Sequence, residues 1–328
     1  MTGNSKSPDK MAVKDIFLAL LVVTIWGANF TVIKLGLANT PPMLLAALRY
    51  TLTAFPAIFF IRPPEVKWQS CAAYGLTVGV GQFACLFYAM NIGMPAGLAS
   101  VVLQSQAFFT LLFAIISLRE SLSSSQLLGL IIAVSGLTVI GANINHKAGI
   151  SVIPVSAFLL TLLAAAFWGL SNIIVRHMAI RADSEGKQLD IFSLVVWSAL
   201  VPPLPFLTLA LIMDTPQTIV QTFQNFNALS VFSVFYLAFC ATLFGFGTWS
   251  GLLARYPTGR VAPLSLLVPV TGLITAQIVL NEYLTALQWI AGSLILLGLF
   301  LSNLNLPHLS KLNKAKQTLY IKLLPPWR

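Results

Sequence analysis

Charge is scarce in this sequence. Only 9% of its 328 residues are Asp, Glu, Lys or Arg, whereas covering a water-facing surface takes roughly a quarter to a third charged positions. Acidic side chains number nine, and cysteine and histidine occur three times each. Cys71, Cys85 and Cys240 lie in or beside apolar runs and read as small buried hydrophobes, not as a disulfide framework. His146, His177 and His308 lack H-x-x-x-H spacing and no C-x-x-C is present, so neither a metal site nor another cofactor is expected. The absence of G-x-x-x-x-G-K-[ST] argues against an ATP-driven pump. Without a metal-binding acid cluster or a nucleophile–base pair, a membrane enzyme acting on lipid-linked substrates is disfavoured too, and no catalytic residue is assigned.

Apolar residues are abundant, at 57%. They fall in runs of about 20 residues, the length a transmembrane helix needs, without the alternation of a membrane barrel strand. The expected fold is all-α and integral to the membrane, with ten helices at about 15–37, 42–61, 69–91, 95–117, 124–143, 152–176, 190–213, 229–251, 261–280 and 286–304. The first apolar stretch is too long for a cleaved signal peptide and should remain as the first helix.

The net charge of +10 has a topological origin. With the N-terminus in the cytoplasm, 16 Lys and Arg residues fall inside and only Lys147 outside, while Lys34 and Arg49 lie within helices. That bias places both termini in the cytoplasm. The basic surface then faces anionic lipid headgroups, and nucleic acid is not an expected partner.

An internal repeat is visible. Trp26-Gly27-Ala28-Asn29 and Lys34 match Trp168-Gly169-Leu170-Ser171 and Arg176 at an offset of 142. Further on the offset is 162, pairing Tyr74 with Tyr236, Pro95 with Pro257, Gly97 with Gly259, Glu120 with Glu282 and Gly136 with Gly298. The expected division is a first five-helix repeat over 1–143, a second over 144–304 and a basic cytoplasmic tail over 305–328. Five helices per copy start the second copy on the opposite side of the membrane, so the repeat is inverted, an architecture that secondary transporters use for alternating access.

Several polar residues interrupt the apolar runs. Trp26 and Asn29, with Trp168, Ser171 and Asn172, set polar atoms one turn from a bulky ring, as either an interhelical packing interface or a substrate lining. Gln104, Ser105 and Gln106 are three consecutive polar residues that cannot all face one packed neighbour, which favours a cavity lining. Arg49 lies about 11 Å below the outer start of its helix by helical rise, where a cation costs about 2.5–3.5 kcal/mol on insertion scales. It either attracts a substrate carboxylate or ties backbone carbonyls together. Lys34 can snorkel outward. Ser123 to Gln126 and Thr285 to Gln288 have capping-box spacing, so Glu120 and Glu282 either help to fix the starts of the fifth and tenth helices or serve in gating. No carboxylate is expected near the bilayer centre, which leaves proton coupling, exchange and facilitated diffusion open. Pro56, Pro202, Pro203, Pro205, Pro263 and Pro269 are expected to bend or break their helices.

Leu18 to Asn29, Pro41 to Tyr50, Asn91-Ile-Gly-Met-Pro-Ala-Gly-Leu-Ala-Ser100 and Arg260-Val-Ala-Pro-Leu-Ser-Leu-Leu-Val-Pro269 together resemble the drug/metabolite transporter superfamily, and within it the EamA family of exporters. Glu120-x-Leu-Ser and Glu282-x-Leu-Thr resemble that family's paired Glu signature, although Arg119 and Asn281 replace the small residue usual before it. The resemblance covers about residues 11–303. It implies a bacterial inner-membrane exporter of O-acetylserine and cysteine-pathway metabolites, with a cavity between the halves to which Ser265 is a further candidate contributor. Other amino acids, purines or toxic compounds are the alternative cargo.

Overall fold

The structure is a computed structural model that describes residues 11–118, 122–142 and 153–302. All regular structure among the described residues is helical. The main helices are α1 (Val13–Leu37), α2 (Pro42–Ala57), α3 (Trp68–Asn91), α4 (Ala96–Ser117), α5 (Ser124–Ala142), α6 (Val155–Ser184), α7 (Ile191–Met213), α8 (Pro216–Gln224), α9 (Ala228–Arg255), α10 (Ala262–Leu280) and α11 (Ala286–Ser302). Eight of them are long and apolar enough to cross a membrane; α2, α8 and α11 are shorter.

Two helices are interrupted at prolines, as the sequence predicts. α2 ends at Ala57, short of the expected residue 61, and Phe55 before Pro56 leaves the helical region (φ −101°, ψ 108°), as steric conflict with a proline ring requires. In α7 the chain breaks after Ser198 and resumes at Pro203, with Pro at the start of the second piece where its missing N–H costs nothing. The helix α8 falls in a stretch read as loop; Thr215 accepts from the Thr218 amide and Pro216 opens the first turn.

Helix starts elsewhere follow local chemistry. The Ser123 amide donates to Gln126 Oε1 at 2.9 Å and the Gln126 amide to Ser123 Oγ at 3.2 Å. Thr285 and Gln288 repeat this at 3.0 and 3.2 Å, so both capping boxes form.

Two wide, π-helical turns lie at Gly75–Gln82 in α3 and Tyr236–Phe244 in α9, and their ends, Gln82 and Phe244, are 162 residues apart, the offset of the sequence repeat. A 3₁₀ turn at Leu103–Ser105 in α4 has its counterpart at Ala262–Leu267 in α10. Contacts recur in the same way. α1 packs against α9 and α10, and α6 against α3 and α4, so each opening helix lies on the other half of the chain. α2 meets the second piece of α7, and α5 pairs closely with α11. At that last interface a β-carbon on Gly129 would overlap the Gly298 carbonyl, and one on Gly298 the Gly129 carbonyl, so only glycine allows the backbones this near.

Burial breaks the symmetry. Every residue from Ala96 to Ser105 is buried, whereas in the corresponding stretch Arg260 to Leu267 only Val261 is. Val101 faces Gly292 of α11, which covers the start of α4.

Candidate functional site

The middle of the molecule collects polar side chains from α1, α2, α3 and α9. Trp26 donates its indole N–H to the Ala241 carbonyl at 2.9 Å, and its ring packs against Phe246 and Trp249 at centroid distances of 5.3 and 5.2 Å. The acceptor lies inside the wide turn of α9, where the helical hydrogen-bond pattern is disturbed. Tyr236 at the start of that turn donates back to the Ile25 carbonyl at 2.9 Å. Asn29, 9% exposed, points its Oδ1 at no donor.

Arg49 is 4% exposed. Its Nη2 donates to the Thr242 hydroxyl at 3.2 Å, while Nε and Nη1 are buried without a partner. Its guanidinium carbon lies 4.1 Å from the Phe83 ring centre and 5.5 Å from that of Tyr50. Of the two roles expected for Arg49, the tie to backbone carbonyls is not what forms among the described residues: the hydrogen bond goes to a hydroxyl. Cation–π contact offsets about 0.5–2 kcal/mol, against about 1–3 kcal/mol for each buried donor left unsatisfied. Gln82, next to Phe83, is likewise 4% exposed with an unpartnered Oε1.

The remaining candidates divide. Gln106 accepts from Asn172 Nδ2 at 2.8 Å, and Thr110 from the same nitrogen at 3.0 Å, so these amides tie α4 to α6. Ser171 donates within its own helix to the Trp168 carbonyl at 2.7 Å, and Trp168 packs half-buried against the core. Ser265 donates to Ala262 O at 2.7 Å in the half-exposed start of α10. Gln104 is buried, and Ser105, 1% exposed, has an unpartnered hydroxyl. The 3₁₀ turn thus sends Gln104 and Ser105 elsewhere than Gln106.

Glu282 departs from one of its two expected roles, that of fixing the start of the helix that follows it. Its Oε2 accepts from the Gly97 amide at 3.1 Å, so among the described residues it caps α4 in the other half and not α11. Asn281 ends α10 in the left-handed region at φ 54° and turns the chain so that Glu282 reaches across. Nearby, Lys34 does not snorkel away but donates to Met90 O at 2.7 Å, tying α1 to α3. Glu120 lies outside the described residues. At the opposite end of α1, buried Asp15 accepts from Tyr256 Oη at 2.7 Å and pairs with Arg255 at 3.3 Å.

Sequence reading missed Gln82 and Thr242. Gln82 was visible as an amide within an apolar helix; Thr242 gave no local signal, because its meaning lies in Arg49, 193 residues away. An open cleft of about 810 Å³ lies elsewhere, between the start of α3 and the end of α6, with Gln69, His177 and Arg181 on its walls.

The EamA-like transporter family model matches this chain at residues 13–142 and 155–304. The chain belongs to the EamA-like transporter family. It is a multi-pass membrane protein. It is 46% identical over 292 residues to a probable amino-acid metabolite efflux pump of Escherichia coli K12, an alignment covering 89% of this chain and 95% of that one. The probable amino-acid metabolite efflux pump of Salmonella typhimurium LT2 is 47% identical over 293 residues, with the same shares covered. A probable terminal-alkyne amino-acid exporter of Streptantibioticus cattleyicolor is 24% identical, covering 88% of this chain and 93% of its own. A solved crystal structure of a protein superposes with a TM-score of 0.58 at 16% identity, covering 92% of this chain and 99% of that one, and supports the fold alone.

Proposed function

We propose that the chain is a secondary-active exporter of small amino-acid metabolites, with cysteine and O-acetylserine as cargo, in the bacterial inner membrane. All of its main helices but α8 span the membrane, as two inverted five-helix repeats with both termini in the cytoplasm, and transport proceeds by exchange of conformation between the copies. Trp26, Asn29, Arg49, Gln104, Gln106, Trp168, Ser171, Asn172 and Ser265 are the candidates lining its path, with Gln106 and Asn172 acting through the α4–α6 contact.

The observation that carries this reading is the unequal burial of equivalent segments. On the orientation set by the basic residues, Ala96–Ser105 is at the outer end and is buried, and Arg260–Leu267 is at the inner end and is largely uncovered. That combination suits a state loading from the cytoplasm. Glu282 on the Gly97 amide and Lys34 on the Met90 carbonyl then act as outer closures. Inverting the state requires the first segment to open and the second to pack. The two probable amino-acid metabolite efflux pumps, similar over nearly the whole chain, support the cargo class.

The test is uptake of labelled cysteine and O-acetylserine into inverted membrane vesicles, with and without a proton gradient. Saturable uptake that depends on the protein is expected. No uptake of either compound, with accumulation of another metabolite, would transfer the reading to that cargo.

A further inference from the structure

We infer that Arg49, Thr242 and Gln82 form the seat for the charged head of an α-amino acid, with the guanidinium taking its carboxylate and Gln82 Oε1 its ammonium. This rests on the export reading above and adds to it the groups recognised.

Unused valence points to a ligand. A guanidinium offers five N–H donors in a planar fork suited to a carboxylate, yet at Arg49 only Nη2 is engaged, on the neutral Thr242 hydroxyl. No described carboxylate is free to complete it. Asp15 is held by Tyr256 and Arg255, and Glu282 by the Gly97 amide. Glu65, Asp183, Glu185, Asp190 and Asp214 lie in loops or at helix ends. The Thr242 hydroxyl donates to Leu237 O at 2.8 Å, so its lone pair accepts the Arg49 Nη2 N–H, and it fixes one edge of the fork.

The complementary half is an acceptor. Gln82 Oε1 is buried with no donor, and the next residue, Phe83, carries Arg49 on its ring at 4.1 Å. Asn29 Oδ1 is a second orphaned acceptor, two helical turns from Gly36 on the face of α1 that meets Leu45, one turn before Arg49. Unused donors on α2 and orphaned acceptors on α1 and α3, the helices packed against it, match the two charges of a zwitterion. A plain amine would be repelled by Arg49, and a plain carboxylate would leave the amide oxygens unused.

A purely structural role for Arg49 gives a different result in a binding experiment. With the full-length protein in lipid nanodiscs, the probes are O-acetylserine, cysteine methyl ester, which lacks the free carboxylate, and N-acetylcysteine, which lacks the ammonium, each read by ligand-induced thermal stabilisation. Wild type is expected to bind O-acetylserine and to discriminate against both blocked compounds. Arg49→Gln should weaken O-acetylserine by about tenfold or more, as expected for loss of a charge-assisted hydrogen bond, and erase discrimination against the ester. Gln82→Leu should erase discrimination against the N-acetyl compound. If Arg49→Gln binds O-acetylserine as wild type does, the seat is overturned while export stands. The same holds if wild type does not distinguish O-acetylserine from the ester, yet vesicles transport it. Neither binding nor vesicle uptake would overturn both. Should Arg49→Gln fail to fold, Thr242→Val and Gln82→Leu decide by the same readout, and unchanged affinity and discrimination in both would overturn the seat.

Discussion

Glu282 and Gly97, 185 residues apart in the chain, are joined by a 3.1 Å hydrogen bond from the glycine amide to the carboxylate. The amide is one of those that a helix start leaves without an internal partner. Glu282→Ala should therefore loosen the start of α4, whereas Glu282→Gln retains an acceptor and should resemble wild type. Ser100→Cys, introduced into a variant with Cys71, Cys85 and Cys240 replaced by alanine, reports this through its labelling by a membrane-impermeant thiol reagent. Faster labelling is expected with Glu282→Ala alone. Equal rates in all three backgrounds would show that the bond does not hold the outer face.

The other end of α1 depends on a buried carboxylate. Asp15 accepts from Tyr256 Oη, which also receives the Ala12 amide at 3.2 Å. Tyr256→Phe leaves both groups short of a partner and should cost about 1–3 kcal/mol, seen as a lower thermal midpoint in detergent. An unchanged midpoint would mean that water replaces the phenol without loss.

Glycine positions that look alike in sequence should respond oppositely. Gly129→Ala forces a methyl group against the Gly298 carbonyl and should separate α5 from α11, lowering recovery of monodisperse protein on size exclusion. Gly251, part of a G-x-x-x-G spacing in α9, has no atom within 4 Å of a built β-carbon. Gly251→Ala should be neutral, or stabilising by up to about 1 kcal/mol through helix propensity.

Trp26→Phe keeps an aromatic ring but removes the indole N–H that meets Ala241 O, together with the rest of the five-membered ring that packs near Phe246 and Trp249. Vesicle uptake should fall several-fold at unchanged membrane abundance. Full activity in this variant would confine the bond to packing.

Legibility in the sequence followed the range of the interaction. The capping boxes at Ser123 and Thr285 act within one turn, and spacing alone exposed them. Helix extents came from composition, except where Pro56 and Pro202 cut them and where Thr215-Pro216 opened a short amphipathic helix. The partner of Glu282 could not be read, because a carboxylate beside a helix start looks local whichever helix it serves. Arg49 stood out by its charge, but its setting depends on Thr242 and Phe83, which reach it only through folding.

The wide turns of α3 and α9 also bear on how such a helix can change. A π turn carries one more residue than an α-helix of that length needs. Passing that surplus one place along α9 would swap one hydrogen bond for another and swing the side chain it crosses by about 100°. Thr242 lies inside the surplus, so such a step would turn its hydroxyl away from Arg49 while the two ends of the helix kept their packing.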